Sequence, residues 1–401
     1  MRAASVSIHG VRVGQLERLD DWQNYSFCFD REWLDMPGRP CLGQLFSERM
    51  PDEIRTSGMP CWFDHLLPQG LSRRLFQRIH DLNEADNDSF ELLLAIGEDL
   101  PGAVVIEVAS PRLLGPRDTS SLERSLPERP GFSLPGAQNK LSVRAGERGL
   151  VVPARGELGH WIAKFDDPQF PGLPTLEYAT TLWAQAAGIR THSVRLASSD
   201  EFVELPAALP LGDRKVLLAE RFDRAENQRI HAEDFGQILD IPAGDPQYRS
   251  RYEDLAKVLA ALSPRDAREY VERVAFMVVC GNGDAHIKNW GVVYPDRRTP
   301  RLGPAYDLVS TVARIPSDTL ALTLAGDTER RFSQVGLDSF RPLARALGLE
   351  EAEVLTWVRE ARDRALDAWA SRAANWPLSP RERQNIADHL SRVPLCRADG
   401  E

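Results

Sequence analysis

Residues 281–289 read Gly281-Asn282-Gly283-Asp284-Ala285-His286-Ile287-Lys288-Asn289. So polar a stretch, between an apolar helix and the apolar run Trp290-Gly291-Val292-Val293, costs desolvation unless its groups work at a site. Asp284 and Asn289 stand in D-x-x-x-x-N spacing. In phosphoryl transfer that pairing lets the carboxylate accept the proton of an attacking hydroxyl while the amide carbonyl helps hold magnesium. Read alone, it also describes a polar loop whose Asp and Asn cap neighbouring backbone.

The spacing is that of the protein-kinase catalytic loop, and a second acid follows it. Asp307, in Leu302-Gly303-Pro304-Ala305-Tyr306-Asp307-Leu308, comes one hairpin later, where a kinase keeps its principal metal-binding carboxylate. Magnesium takes oxygen ligands and few protein carboxylates, a habit that Asp307 with Asn289 fits. As an alternative, Asp307 could cap a helix beginning at Leu308. Upstream, Lys164 ends a strand and Glu177 lies in the next helix, the order of the kinase lysine on the ATP phosphates and the glutamate that orients it. Singly, they also read as a solvated strand-end lysine and a first-turn acid favoured by the helix dipole.

Two further stretches complete the set. Glu220-Arg221-Phe222-Asp223-Arg224 follows an apolar strand, where a nucleotide base would meet an interlobe hinge; otherwise it is a charged turn. Ser133-Leu134-Pro135-Gly136-Ala137-Gln138-Asn139-Lys140 precedes Lys164, in the position of a phosphate-binding loop. It has neither a Walker A nor a G-x-G-x-x-G pattern.

The elements that must position these groups can be read from periodicity. Val6, Ile8, Val11 and Val13, then Tyr25, Phe27 and Phe29, alternate as in antiparallel strands. Phe63, Leu66, Leu67, Leu71, Leu75 and Ile79 follow a helical pattern, and Phe90 to Ile96 another that ends at Gly97. Pro111, Pro116, Pro127 and Pro130 give the segment from Ser110 to Pro130 a linker composition. Beyond it, Leu141-Ser142-Val143 and Leu150-Val151-Val152 flank Gly146-Glu147-Arg148-Gly149, a hairpin signal. His160 to Phe165 and Val216 to Ala219 read as strands, and Thr175 to Gly188 as a helix. Ser263-Pro264-Arg265-Asp266 and Ser379-Pro380-Arg381-Glu382 are capping signatures of two later helices. The first buries Val271, Val274, Ala275 and Val278 and stops at Gly281.

Composition bounds the function. The 401 residues are 42% hydrophobic and carry 49 Lys+Arg against 59 Asp+Glu, a net charge of −10. That length suits two or three domains, and the acidity argues against a broad phosphate-neutralising surface for nucleic acid. The five cysteines are widely spaced with no C-x-x-C pair, so they read as reduced thiols. The first residues lack the apolar core of a signal peptide, and no apolar run approaches membrane-spanning length. The expectation is a cytoplasmic protein without a membrane contact.

Taken together, the quoted stretches resemble the HipA family of bacterial serine/threonine kinases, the toxins of HipBA-type toxin–antitoxin pairs. The carriers are Ser133 to Lys140, Glu220 to Arg224, Gly283 to Asn289 and Ala305-Tyr306-Asp307. The N-terminal unit adds Phe63-Asp64-His65-Leu66-Leu67-Pro68-Gln69-Gly70 and Leu93-Leu94-Ala95-Ile96-Gly97-Glu98-Asp99. Pro135 departs from the small residue usual in the family, and Phe165 from the usual proline after Lys164.

The resemblance implies an α+β, two-lobed protein-kinase-like fold, with a β-rich N-lobe and a helical C-lobe, preceded by a small α/β N-terminal domain. Residues 1–110 would form that domain, 111–225 the N-lobe with a linker at 111–130, and 226–401 the C-lobe. It implies Asp284 as catalytic base, with His286 and Lys288 in the catalytic loop and Lys288 offsetting phosphoryl charge. Asn289 and Asp307 would bind Mg2+, and Lys164 the ATP phosphates. Glu220 and Phe222 would meet adenine through their backbone, and Ser133, Gly136, Ala137 and Gln138 would form the phosphate loop. Ser133 matches the family's autophosphorylated serine. Implied partners are a HipB-like helix-turn-helix antitoxin, operator DNA mainly through that antitoxin, and a protein substrate such as an aminoacyl-tRNA synthetase. A small-molecule kinase of the aminoglycoside type and a non-catalytic member of a repressor complex are the alternatives.

Overall fold

The computed structural model describes residues 2–19, 23–47, 53–84, 88–109, 138–154, 157–226, 228–326 and 329–397. The Pro-rich linker and positions Ser133, Gly136 and Ala137 therefore lie outside the described residues.

The alternating N-terminal residues build a sheet of β1 (Arg2–Ile8), β2 (Val11–Arg18), β3 (Asn24–Phe29), β4 (Glu53–Ser57) and β5 (Val104–Ala109). It is antiparallel throughout, in the order β4-β3-β2-β1-β5. Val6, Ile8, Leu16 and Phe27 are buried with Trp33 of α1 (Arg31–Leu34), Trp62 and Phe63 of α2 (Cys61–Asp64), and Phe90 and Leu93 of α4 (Ser89–Ile96). Asp88 caps α4 by accepting from the amides of Phe90 and Glu91. The helical pattern from Phe63 onward is α2 followed by α3 (Gly70–Ile79). Pro68 has no N–H to continue a helix, and Gly70 adopts a left-handed φ of 55°.

A second antiparallel sheet runs β7-β6-β8-β10-β9, with β6 (Asn139–Gly146), β7 (Gly149–Val151), β8 (Trp161–Phe165), β9 (Val194–Ser198) and β10 (Lys215–Glu220). The hairpin expected at Gly146 to Gly149 is β6–β7. Leu141, Val143, Ala163, Phe165, Val216 and Leu218 make its core, which Leu75 of α3 joins. Between β8 and β9 runs α5 (Leu173–Ala186), with Pro174 in its first turn.

The largest core belongs to the C-terminal half. A ribbon of β11 (Arg224–Ala225) and β12 (Gln228–Arg229) leads to a sheet of β13 (His231–Asp234), β14 (Gly291–Tyr294) and β15 (Arg301–Leu302). Around it pack α6 (Phe235–Ile238), α7 (Tyr252–Leu262), α8 (Ala267–Cys280), the hairpin β16 (Thr319–Leu324)–β17 (Glu329–Arg331), α9 (Arg341–Leu347), α10 (Glu351–Arg372) and α11 (Pro380–Arg392). The capping box at Ser379 and Glu382 opens α11 as expected. At Ser263 the expected cap does not form. The hydroxyl instead donates to the Asp266 carboxylate, which is drawn away by Arg301 and the Leu302 amide, and a 3-10 turn precedes α8.

The N-terminal unit is fastened to this half through Glu233 of β13, which accepts from the Trp62 indole (2.8 Å) and the Gln44 amide (3.1 Å). The fold is thus mixed helix and sheet. The five cysteines are free thiols, and among the described residues no helix is long and apolar enough to cross a membrane.

Candidate active site

The loop at 281–289 owes its shape to two glycines and two asparagines. Gly281 ends α8 in a left-handed conformation (φ 67°), and a Cβ there would lie 2.3 Å from Val312. A Cβ on Gly283 would lie 2.2 Å from the Asp318 carboxylate, so neither position admits a side chain without displacing the loop. Asn282 accepts from the Asp284 amide (2.9 Å), and the Asn289 side-chain N–H donates to the Asp284 carbonyl (2.7 Å). The loop is therefore braced end to end. Since the Asn289 nitrogen is spent on that brace, its amide oxygen is the end left for a cation.

Asp284 is half-buried, and its Oδ1 accepts from the Tyr248 hydroxyl at 2.9 Å. Burial pushes its carboxyl up to about 8, against the lowering effect of that hydrogen bond. His286 is buried with its ring edge-on to Tyr248 (4.8 Å), and its Nδ1 accepts from the Lys288 amide (3.2 Å). Burial, and then the charge of Lys288, pushes its imidazole down to about 3. A neutral ring capping a turn shapes the loop; it is Tyr248, not His286, that touches the Asp284 carboxylate. Lys288 turns to the N-terminal unit, where its ammonium donates to the carbonyls of His65 (2.7 Å) and Leu67 (3.3 Å).

Asp307 is not a helix cap: it sits at φ 52°, and the following 3-10 turn is headed by Ser310. Its two oxygens meet two lysines. Lys140 donates to Oδ2 at 2.9 Å, and Lys164, which also grips Glu177, donates to Oδ1. Lys140 and Lys164 are direct cross-strand partners of β6 and β8. Like charges so placed repel, and the two carboxylates between them remove the penalty. Burial alone would raise the Asp307 carboxyl, but Lys140 and Lys164 overcome it and hold the group well below the usual carboxylate range. Burial would lower the Lys164 ammonium, but Asp307 and Glu177 keep it charged. His192, buried beside them and pushed down to about 4 by burial, stays neutral near pH 7.

The remaining expected groups are more scattered. Glu220 closes β10, and its N–H donates to the Ser193 carbonyl (2.9 Å). The Phe222 ring lies 5.5 Å from that of Tyr306, next to Asp307. The stretch does turn at Phe222-Asp223, but its charges Arg221, Asp223 and Arg224 are buried. Both arginines bind Asp99 and the Leu100 carbonyl, Asp223 joins them to each other, and the Gly102 amide donates to Asp223. Gln138 is buried, its carbonyl accepting from the Ser72 hydroxyl (2.8 Å).

Sequence reasoning gave no role to Lys140, Tyr248 or Ser72. Lys140 ends a quoted stretch, and its place on an alternating strand was the available signal. Nothing local marks the other two. Among the described residues no group of three or more His, Cys, Asp or Glu is placed to hold a metal ion. What the loop and Asp307 offer is a pair of hard oxygen donors, an amide and a carboxylate.

Known families match both parts of the chain. Residues 4–107 match the family described as the HipA N-terminal domain, and residues 132–369 the HipA-like C-terminal domain. A Sinorhizobium fredii protein provisionally named kinase Y4dM is 31% identical over 98% of this chain and 97% of its own. A second from that organism, provisionally named kinase Y4mE, is 29% identical over 78% of each. Among solved structures, HipA of Shewanella oneidensis, determined with HipB and its operator DNA, superposes with a TM-score of 0.72. It is 18% identical, over 98% of this chain and 96% of that one.

Proposed function

Because the chain belongs to the HipA family, we propose that it is an ATP- and magnesium-dependent serine/threonine protein kinase acting as a growth-arresting toxin. The observation that carries the reading is the Lys164–Glu177–Asp307 chain of contacts, with Lys140 on the second oxygen of Asp307. A strand lysine paired with a helix glutamate and meeting a downstream aspartate is the arrangement that ATP phosphates and their metal require.

In this reading Asp284 accepts the proton of the attacking hydroxyl once it is ionised, a state that the charge of a bound cation would favour, and Tyr248 fixes its orientation. Lys164 binds the nucleotide phosphates, and Lys140 shares the neutralising work. Magnesium, when bound, would neutralise phosphate charge, and its ligands would be the Asp307 carboxylate and the Asn289 amide oxygen. The Asn289 and Asp307 donors are oxygens, with no sulfur among them, which suits a hard cation. His286 sets the loop turn and Lys288 its attachment. With the Glu220 amide engaged by Ser193, adenine would be read by the Glu220 carbonyl and the Phe222 backbone.

We assign residues 1–110 to an N-terminal domain, 111–225 to a kinase N-lobe and 226–401 to a C-lobe; three cores support the division in outline, although Leu75 packs into the second and Leu176 to Ile189 pack into the C-terminal one. Ser133 would be the autophosphorylated residue, joined to Gly136, Ala137 and Gln138 in the phosphate loop. Roughly two added negative charges beside bound phosphates would expel them and stop the enzyme. The Shewanella oneidensis complex supports a HipB-like antitoxin as partner, with DNA reached mainly through it. The family resemblance supports a translation component, such as an aminoacyl-tRNA synthetase, as substrate.

Incubation with radiolabelled ATP and Mg2+, wild type against Asp284→Asn, tests the reading. Label on protein, on Ser133 first, in wild type alone is expected. Label on a small acceptor alone would indicate an aminoglycoside-type kinase, and no transfer at all would end the proposal.

A further inference from the structure

Eight consecutive residues of the N-terminal unit touch both sides of the candidate site. At one end, the carbonyls of His65 and Leu67 receive the Lys288 ammonium, inside the loop that carries Asp284. At the other, the Ser72 hydroxyl donates to the Gln138 carbonyl (2.8 Å) and accepts from the Lys140 amide (3.1 Å), pinning the start of β6. Lys140 in turn holds Asp307. The catalytic loop and the strand opposite it otherwise belong to different cores.

The segment is built to transmit position. Leu66 and Leu67 are buried in the N-terminal core, and Pro68 and the left-handed Gly70 fix the backbone between the two grips. The His65 ring is itself clamped, with Nε2 2.7 Å from the Ile241 carbonyl and Nδ1 3.3 Å from Asp234. A Cβ on Gly236 would stand 2.1 Å from that ring, so the clamp tolerates no side chain there. Ser72, buried at 4% exposure, makes both of its bonds to backbone rather than to water.

We propose that His65 to Ser72 is a strap that fixes the spacing between the catalytic loop and the Lys140 strand, so that the N-terminal unit governs a site to which it supplies no reacting group. Lys288 and Ser72 are then positioning residues, acting through the loop backbone and through Lys140. The strap concerns structure and stands without the kinase reading; only its effect on turnover rests on that reading.

Amide hydrogen exchange on the full chain tests it in both directions. Ser72→Ala is expected to speed exchange of residues 281–289 about tenfold, and Lys288→Met to speed exchange of residues 138–142 to a similar degree. Ser72→Thr, which keeps the hydroxyl, should restore the wild-type rates. In phosphotransfer, Ser72→Ala should lower kcat about fivefold while KM for ATP stays within about twofold. If each variant disturbs only its own side, the strap is passive packing and the proposal falls. Should Ser72→Ala lose its near-ultraviolet dichroism, the Lys288→Met arm decides alone. A wild type that transfers no phosphate but shows the two-way exchange coupling would sink the kinase reading and leave the strap standing.

Discussion

Two buried charge clusters lie close together in this molecule and close their valences differently. In Asp99–Arg221–Asp223–Arg224, planar guanidinium forks meet two carboxylates and the carbonyls of Leu100 and Gly102. In Lys140–Lys164–Glu177–Asp307 the cations are single ammonium groups, and the central acid keeps 28% of its side chain exposed, against 10% for Asp223. A forked network that ends on backbone carbonyls has little room for a ligand, its one unpartnered donor, Arg224 Nε, being buried. Point charges around a half-exposed carboxylate can exchange partners when phosphates or a cation arrive. The first cluster joins parts of the fold; on the kinase reading the second does chemistry.

The comparison breaks most visibly if the wrong cluster controls turnover. Asp284→Asn and Asp307→Asn should each lower phosphotransfer by about a thousandfold or more, with melting temperature within about 3 °C of wild type. Labelled-ATP transfer and a thermal melt check both. Asp223→Ala should do the converse. It leaves two buried arginines sharing the one carboxylate of Asp99, so about 3 kcal/mol of stability should be lost, read as a lower urea midpoint. Activity per folded molecule should hold, and a stable but inactive Asp223→Ala would erase the distinction.

Acid sharpens the same contrast. Burial would raise the Asp223 carboxyl, but Arg221 and Arg224 hold it well below the ordinary range. A depressed folded pKa means stabilisation that is complete above the unfolded aspartate value and lost as pH falls toward the folded one. The unfolding free-energy gap between wild type and Asp223→Asn should therefore shrink by about 1 kcal/mol between about pH 7 and pH 3. A gap that widens instead would place the stabilising charge elsewhere. The smallest effect is expected from Tyr248→Phe, which removes one hydrogen bond to Asp284: kcat should fall about three- to tenfold with KM for ATP unchanged. An unchanged kcat would show that the loop alone orients the carboxylate.

The legible part of this molecule was whatever short spacing encodes. Asp284 and Asn289 face each other across five residues of one loop, and Lys164 and Glu177 stand on neighbouring elements. Strand alternation at Val6 and Ile8 and the stop at Gly281 were likewise local signals. The Arg221 network was not readable, because Asp99 lies 122 residues away and only folding brings it near. Tyr248 and Ser72 belong to the same class. Ser263 failed for a related reason: its expected capping bond lost to an acid whose other partner, Arg301, no local pattern announces.

The Asp99–Arg221 contact also sets a waiting time during synthesis. At about 5–20 residues per second, Arg221 is made roughly 6–24 s after Asp99. The first sheet has all its strands by Ala109 and can close its core within that interval. Until the arginines emerge, the carbonyls of Leu100 and Gly102 and the Asp99 carboxylate must be satisfied by water. The nascent N-terminal unit thus carries an acidic, hydrated face that later becomes a dry joint.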